Sequence, residues 1–145
     1  HKSIFLSRTY IEKWYKEVEK IKSLRYAYVH GNLRESHILE NTNLYLISWD
    51  NSKIDLPVRD LEIFYKNSYL DIDLRDILAI YEVKYPLKKE EKFFLFANLL
   101  IPSKIDITKE EYLRIIDVSN LILYLEKIIP YLEDYSKKAN NNTDK

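Results

Sequence analysis

The chain has 145 residues, of which 46% are hydrophobic, enough for one compact domain with its own core. Basic and acidic residues balance at 23 each, so the formal net charge is zero and nucleic acid is not an expected partner. The absence of cysteine excludes disulfides, thiolate metal sites and a cysteine nucleophile.

The first predicted elements are a helix, a strand and a β-hairpin. Apolar residues recur at three- and four-residue spacing from Ser7 to Leu24, which predicts an amphipathic helix. The aromatic and β-branched segment Tyr26 to Val29 predicts a strand. Two apolar segments, His37 to Glu40 and Leu44 to Trp49, flank three polar residues and predict a hairpin. We expect Trp49 to pack against the first and last helices.

Two helices are predicted between Pro57 and Pro86. Proline is favoured at the first helical position because it lacks the N–H that would be unpaired there, so Pro57 can open the first of them. Either Asp71 or Asp73 can cap the second, and Pro86 stops it.

Two further helices complete the prediction. The segment Lys88 to Leu100 has a charged first turn followed by an apolar run. This run, Phe93 to Pro102, is too short to span a bilayer, so no membrane span is expected. Thr108 and Glu111 have the spacing of a capping box that opens the last helix, and Pro130 should kink or end it.

These elements predict one domain over residues 1–137 and a polar tail over 138–145. No methionine occurs and the chain begins with His1, so we expect additional sequence upstream.

The only glycine, Gly31, lies between His30 and Asn32 directly after a predicted strand. Glycine adopts positive φ freely, so a sharp turn is predicted there. Three more motifs follow in order: HIL at 37–39, LISWD at 46–50 and DLPVRDL at 55–61.

This order of motifs resembles the aminoglycoside phosphotransferase and choline kinase branch of the protein-kinase-like superfamily. In that branch a HGDLHPGNIL-type loop precedes an IDWE-type strand end and a DPxxDL segment. Within it, the chain is most similar to the CotS-type spore-coat family, which includes the YutH-like proteins. The resemblance covers Tyr26 to Leu61. It implies a mainly α (α+β) fold, the helical C-terminal lobe of an aminoglycoside phosphotransferase-type kinase with a small β-hairpin near residues 37–49.

The resemblance also implies that the chemical residues are replaced. The family's catalytic base falls on Asn32, its asparagine metal ligand on His37 and its magnesium-binding aspartate on Ser48. A neutral amide cannot accept the substrate proton as a carboxylate does, and imidazole and hydroxyl groups are poor magnesium ligands. The implied protein is a pseudokinase without catalytic residues, bound cofactor or metal.

Asp50 is the remaining candidate for residual metal or phosphate binding. On an extended strand its side chain would lie on the same face as that of Ser48. The alternative function is therefore a small-molecule phosphotransferase of the aminoglycoside, choline or homoserine kinase class. In the intact parent, the expected longer protein with its upstream sequence, Asp50 would hold magnesium together with ATP. A third possibility is a helical domain in which the motif is a coincidence.

His30, Gly31 and Asp60 are the expected structural residues of the motif. The resemblance implies that Asp60 accepts hydrogen bonds from backbone N–H groups near the loop 30–32, and the alternative is an exposed acid at a helix start. We expect His30 to be a packed histidine. The alternative is that His30, His37 and a third ligand bind a transition metal. Arg59 is either a salt-bridge partner or a brace for the loop.

The resemblance implies an interaction or scaffold module in endospore assembly. Its partners would be other spore-coat proteins and the missing N-terminal lobe of the same protein, because only the residues up to Tyr26 precede the loop here. Its location would be the spore coat or the cytoplasm of the sporulating cell. The thirteen tyrosines either line the edges of the core or form a surface for partners.

Overall fold

The computed structural model describes residues 1–141, and this part of the chain is mainly helical. Its helices are α1 (Lys2–Val18), α2 (Val58–Ser68), α3 (Leu74–Lys84), α4 (Lys89–Leu99) and α5 (Glu111–Asn141). Its strands are β1 (Ala27–Val29), β2 (Ile38–Glu40), β3 (Leu44–Leu46) and β4 (Lys53–Asp55). The predicted mainly α fold with a small β-hairpin is confirmed. None of the described helices is long and apolar enough to cross a membrane.

The strands form two separate antiparallel pairs. Strands β2 and β3 are the predicted hairpin, with Ile38 opposite Leu46. Strand β1 pairs with β4, with Tyr28 opposite Ile54, a pairing that the sequence did not predict. Because β4 leads directly into α2, this second pair brings the end of β1 next to the first turn of that helix.

Helix α4 lies at the centre of the core. Its side chains Leu95, Phe96, Ala97 and Leu99 are fully buried, because α1, α2 and the second half of α5 pack around it. Burying each such side chain contributes roughly 1.5–3 kcal/mol. The strands and their loops lie outside this core and are held to it through α2.

A buried ion pair joins the segment before β1 to the start of α4. The Arg25 guanidinium donates to the carboxylate of Glu91, which is fully buried, and lies 4.2 Å from the ring centroid of Tyr85. Hydrogen bonding to Glu91 raises the pKa of Arg25. Glu91 also accepts the N–H of Lys88 at 2.9 Å, which closes the first turn of α4.

The first predicted helix has the wrong bounds. Helix α1 begins at Lys2 and ends at Val18, whereas the apolar spacing suggested that it extended to Leu24. Leu24 is half-buried because the non-helical segment after α1 packs it against the core. Leu24 therefore matches the helical spacing of apolar residues although a loop, and not a helix, buries it.

The structure shows which aspartate caps the second of the two helices between Pro57 and Pro86. Asp73, rather than Asp71, is the N-cap of α3, and its carboxylate accepts the N–H of Arg75 at 2.8 Å.

The last helix departs from the sequence prediction at both ends. It begins at Glu111, and Thr108 donates its hydroxyl to Asp106 at 2.7 Å instead of capping the helix. Pro130 does not end the helix, because Ile128 and Leu132 on either side of it are buried in the core. Helix α5 includes residues 138–141 of the predicted tail, and residues 142–145 lie outside the described residues.

The thirteen tyrosines are buried, half-buried or exposed. Four are buried, and three of these donate their hydroxyl groups to backbone carbonyls: Tyr10 to Leu132, Tyr69 to Asn120 and Tyr124 to Leu99. Five are exposed, namely Tyr15, Tyr26, Tyr28, Tyr45 and Tyr112. Tyrosine therefore serves both the core and the surface.

The buried tyrosines should make stability fall steeply in alkali. Burial raises the pKa of Tyr65 to about 12 and also raises the pKa values of Tyr10 and Tyr124. The unfolded chain loses its phenolic protons at about pH 10, so the free energy of unfolding is unaffected below that pH and declines above it. Tyrosinate absorbance should show the buried tyrosines Tyr10, Tyr65 and Tyr124 ionising only as circular dichroism reports unfolding. Ionisation of these tyrosines while the circular dichroism is still native would contradict this.

Candidate functional site

The site is built around the loop His30–Asn32, which follows β1. Gly31 has φ of +74°, in the left-handed region. A Cβ atom at this position would also overlap the backbone carbonyl of Asn51. Glycine is required here both by the backbone angle and by the close approach of a second chain segment.

Asp60, in the first turn of α2, holds this loop. Its Oδ2 accepts the backbone N–H of His30 at 2.7 Å, and its Oδ1 accepts that of Gly31 at 2.9 Å. These are the hydrogen bonds predicted for Asp60. The carboxylate is half-buried and fully engaged, so Asp60 is not the exposed acid of the alternative.

His30 is a packed histidine with both ring nitrogens in use. Its Nδ1 lies 3.3 Å from the Asn32 backbone nitrogen and must accept, while its Nε2 lies 2.7 Å from the Ile47 carbonyl oxygen and must donate. These partners select the neutral tautomer that carries its proton on Nε2. No ring nitrogen of His30 remains to bind a metal.

Asn32 and His37 lie together next to His30. The Nδ1 of His37 is 2.8 Å from the Asn32 backbone oxygen and donates to it. The Asn32 side-chain oxygen accepts from Nε of Arg34 at 3.0 Å. Position 32 therefore holds a neutral amide whose acceptor is bonded to a neighbouring cation.

Ser48 adopts a left-handed backbone conformation, with φ of 64° and ψ of 53°. For a residue other than glycine this typically costs about 1–2 kcal/mol. It turns the chain out of β3 and into a short 3₁₀ helix at Trp49–Asn51. The premise that Ser48 and Asp50 share one face of an extended strand is therefore wrong.

Asp50 lies in this 3₁₀ turn and is exposed to solvent. Among the described residues, no three His, Cys, Asp or Glu side chains come close enough to form a metal-binding group. Asp50 therefore belongs to no group of three such side chains among the described residues.

Trp49 does not pack against the first and last helices, and that prediction is wrong. Its side chain is 45% exposed, its ring centroid is 4.9 Å from that of His30, and its Nε1 donates to the Leu46 carbonyl at 2.9 Å. The turn at Ser48 directs it over the loop instead of toward the helical core.

Arg59 connects helices rather than bracing the loop directly. Its Nη1 donates to Glu62 at 2.6 Å and to the side chain of Asn98 on α4 at 3.2 Å. Its Nε is 3.8 Å from Asp55 at the end of β4. It therefore holds together β4, α2 and α4, the elements that position Asp60.

Sequence reasoning missed the backbone partners of the loop. The carbonyl groups of Ile47 and Asn51 contact His30 and Gly31, but a carbonyl group carries no residue-specific signal. Strand β4 was missed because Lys53–Asp55 has a single apolar residue between two charged ones, so no apolar pattern marks it as a strand.

No known family model matches this chain, and no solved structure gives a significant match. Two cavities of about 410 and 360 Å³ lie beside α5. Neither is lined by a residue of the loop His30–Asn32.

Removing the Asp60 carboxylate should destabilise the fold. Asp60→Ala leaves the N–H groups of His30 and Gly31 without their acceptors, which should lower the free energy of unfolding by about 2–4 kcal/mol. Asp50→Ala is the matched control, because it removes an exposed acid and should change stability by less than about 0.5 kcal/mol. Urea unfolding of the two variants measures the difference. Equal losses would refute the anchoring role of Asp60.

The two residues with positive φ should respond in opposite directions. Ser48→Gly relieves the backbone strain and should raise the free energy of unfolding by about 0.5–1 kcal/mol. Gly31→Ala introduces both strain and overlap with Asn51 and should lower it by more than about 2 kcal/mol. Thermal unfolding of both variants tests this, and an alanine at position 31 that left the melting temperature unchanged would contradict it.

Proposed function

We propose that this chain is a catalytically degenerate, kinase-like C-terminal lobe of the CotS type. It would act as an interaction or scaffold module among the proteins of a developing spore coat, in the coat or in the cytoplasm of the sporulating cell. The observation that carries the proposal is the loop held by Asp60 at His30 and Gly31, next to three positions that lack the chemical groups of phosphoryl transfer.

The chemistry of the loop supports a binding role over a catalytic one. Phosphoryl transfer needs a carboxylate near the substrate hydroxyl and oxygen ligands for magnesium. Here Asn32 is neutral and bonded to Arg34, and His37 already donates to the Asn32 backbone. The loop keeps its position while offering neither the base nor the metal ligands.

The strands supply a surface for a partner. The cross-strand pair Tyr28 and Ile54 is 76% and 63% exposed, and Leu44 and Tyr45 of the hairpin are also exposed. Exposed apolar side chains of this kind are typical of interaction surfaces. We assign this surface to the N-terminal lobe of the same protein, with other coat proteins as further partners.

A thermal-shift titration of the intact parent protein with ATP, with and without magnesium, tests the loss of chemistry. A ligand at a hundred times its dissociation constant adds about 2.7 kcal/mol to stability, a shift that is readily measured. We expect no magnesium-dependent shift and no nucleotide turnover.

The matched variant is Asp50→Ala. A magnesium-dependent shift that disappears in this variant, accompanied by ATP turnover, would overturn the proposal. That result would establish the small-molecule phosphotransferase alternative.

A further inference from the structure

The first part of α5 has almost no packing within the chain. No residue from Glu111 to Asn120 is buried, whereas Tyr124, Ile128 and Leu132 further along the helix are buried in the core. Large apolar side chains are exposed just before this part of the helix, within it and just after it: Ile107, Tyr112, Leu113, Ile115, Ile116, Val118, Ile122 and Leu123. The helix therefore presents an apolar surface that its own domain does not cover.

A groove of about 440 Å³ lies between this part of α5 and the segment before it. We call it the α5 groove, and it is lined by Ile105, Ile107, Glu111, Arg114, Ile115, Val118 and Ser119. Ile107 is 80% exposed. Exposure of this apolar side chain to water is unfavourable, and burial against a partner surface would recover the free energy.

Two opposite charges in the α5 groove are not paired with each other. The Nε atom of Arg114 is buried and has no hydrogen-bond partner. Glu111, one turn earlier, lines the same groove, and neither side chain takes part in an ion pair within the described chain. A buried donor without an acceptor costs about 1–3 kcal/mol, so a carboxylate supplied from outside the chain would be favourable.

We propose that the α5 groove binds a second copy of this chain. A two-fold axis near Tyr112 and Leu113 places Arg114 of each copy opposite Glu111 of the other. The same axis places Ile107 of each copy against Val118 of the other. One symmetry operation therefore brings a carboxylate to the guanidinium group of Arg114 and covers the exposed isoleucine on both sides, as an isologous interface requires.

Net charge agrees with this occupant. The formal net charge of the chain is zero, so two copies do not repel each other at long range.

The first test measures the mass of the 145-residue chain in solution. Sedimentation equilibrium over a concentration series should show twice the monomer mass at high concentration and dissociation on dilution. Val118→Glu should raise the dissociation constant at least tenfold. Val83→Glu, at a 78% exposed site on α3, should leave it unchanged. Circular dichroism confirms that both variants fold.

A charge exchange tests the geometry of the interface. Arg114→Glu and Glu111→Arg each bring like charges together across the two-fold axis and should weaken the dimer about tenfold. The double variant restores opposite charges and should recover dimerisation to within about threefold of the original chain. A chain that stays monomeric, a dimer that survives Val118→Glu, or a double variant as weak as the single ones would overturn the proposal.

Discussion

The two hydrogen bonds that the Asp60 carboxylate accepts from the backbone N–H groups of His30 and Gly31 hold the loop on which the site depends. A sharp turn after a three-residue strand cannot pair its own N–H groups, and buried N–H groups must find an acceptor. Because Asp60 precedes the buried Leu61 in α2, its carboxylate connects the turn to the helical core. On the opposite side, the Ile47 carbonyl accepts the His30 ring proton and the Asn51 carbonyl closes over Gly31. The loop is thus fixed from two sides by one carboxylate and two backbone carbonyl groups.

This arrangement separates the support of the loop from the chemistry that the family resemblance attaches to it. Acids at positions 32 and 48 would add negative charge that a cation must neutralise, whereas Asn32 and Ser48 add none. Asn32 instead binds Arg34, and His37 binds the backbone of Asn32. Substitution at the chemical positions therefore leaves the anchoring by Asp60 intact. A fold of this kind can lose the residues that a reaction needs and still keep a surface that binds a partner. This is the physical basis of the proposed scaffold role.

The sequence predicted best where a residue type admits one conformation or one partner. Gly31 had to lie in a turn. The resemblance of motifs predicted that Asp60 would anchor the loop. Prediction from the sequence failed where tertiary contacts overrode the local conformational preference of the residues. Ser48 carries no sign of a left-handed backbone, yet that conformation redirects Trp49 and Asp50 together. Pro130 is tolerated inside α5 because core packing on both sides outweighs the lost hydrogen bond, and Leu24 is buried by a loop rather than by a helix.

The two exposed apolar surfaces belong to different elements and share no residue. One comprises the strands around Tyr28 and Ile54, and the other comprises the start of α5 with Ile107. If the α5 groove is occupied by a second copy, each dimer presents the strand surface twice. Two linked copies of a weak binding surface bind a repetitive target far more tightly than one, because the second contact forms at a high effective concentration. A protein shell is such a repetitive target, so dimerisation through α5 would give the domain the avidity that the proposed scaffold role needs.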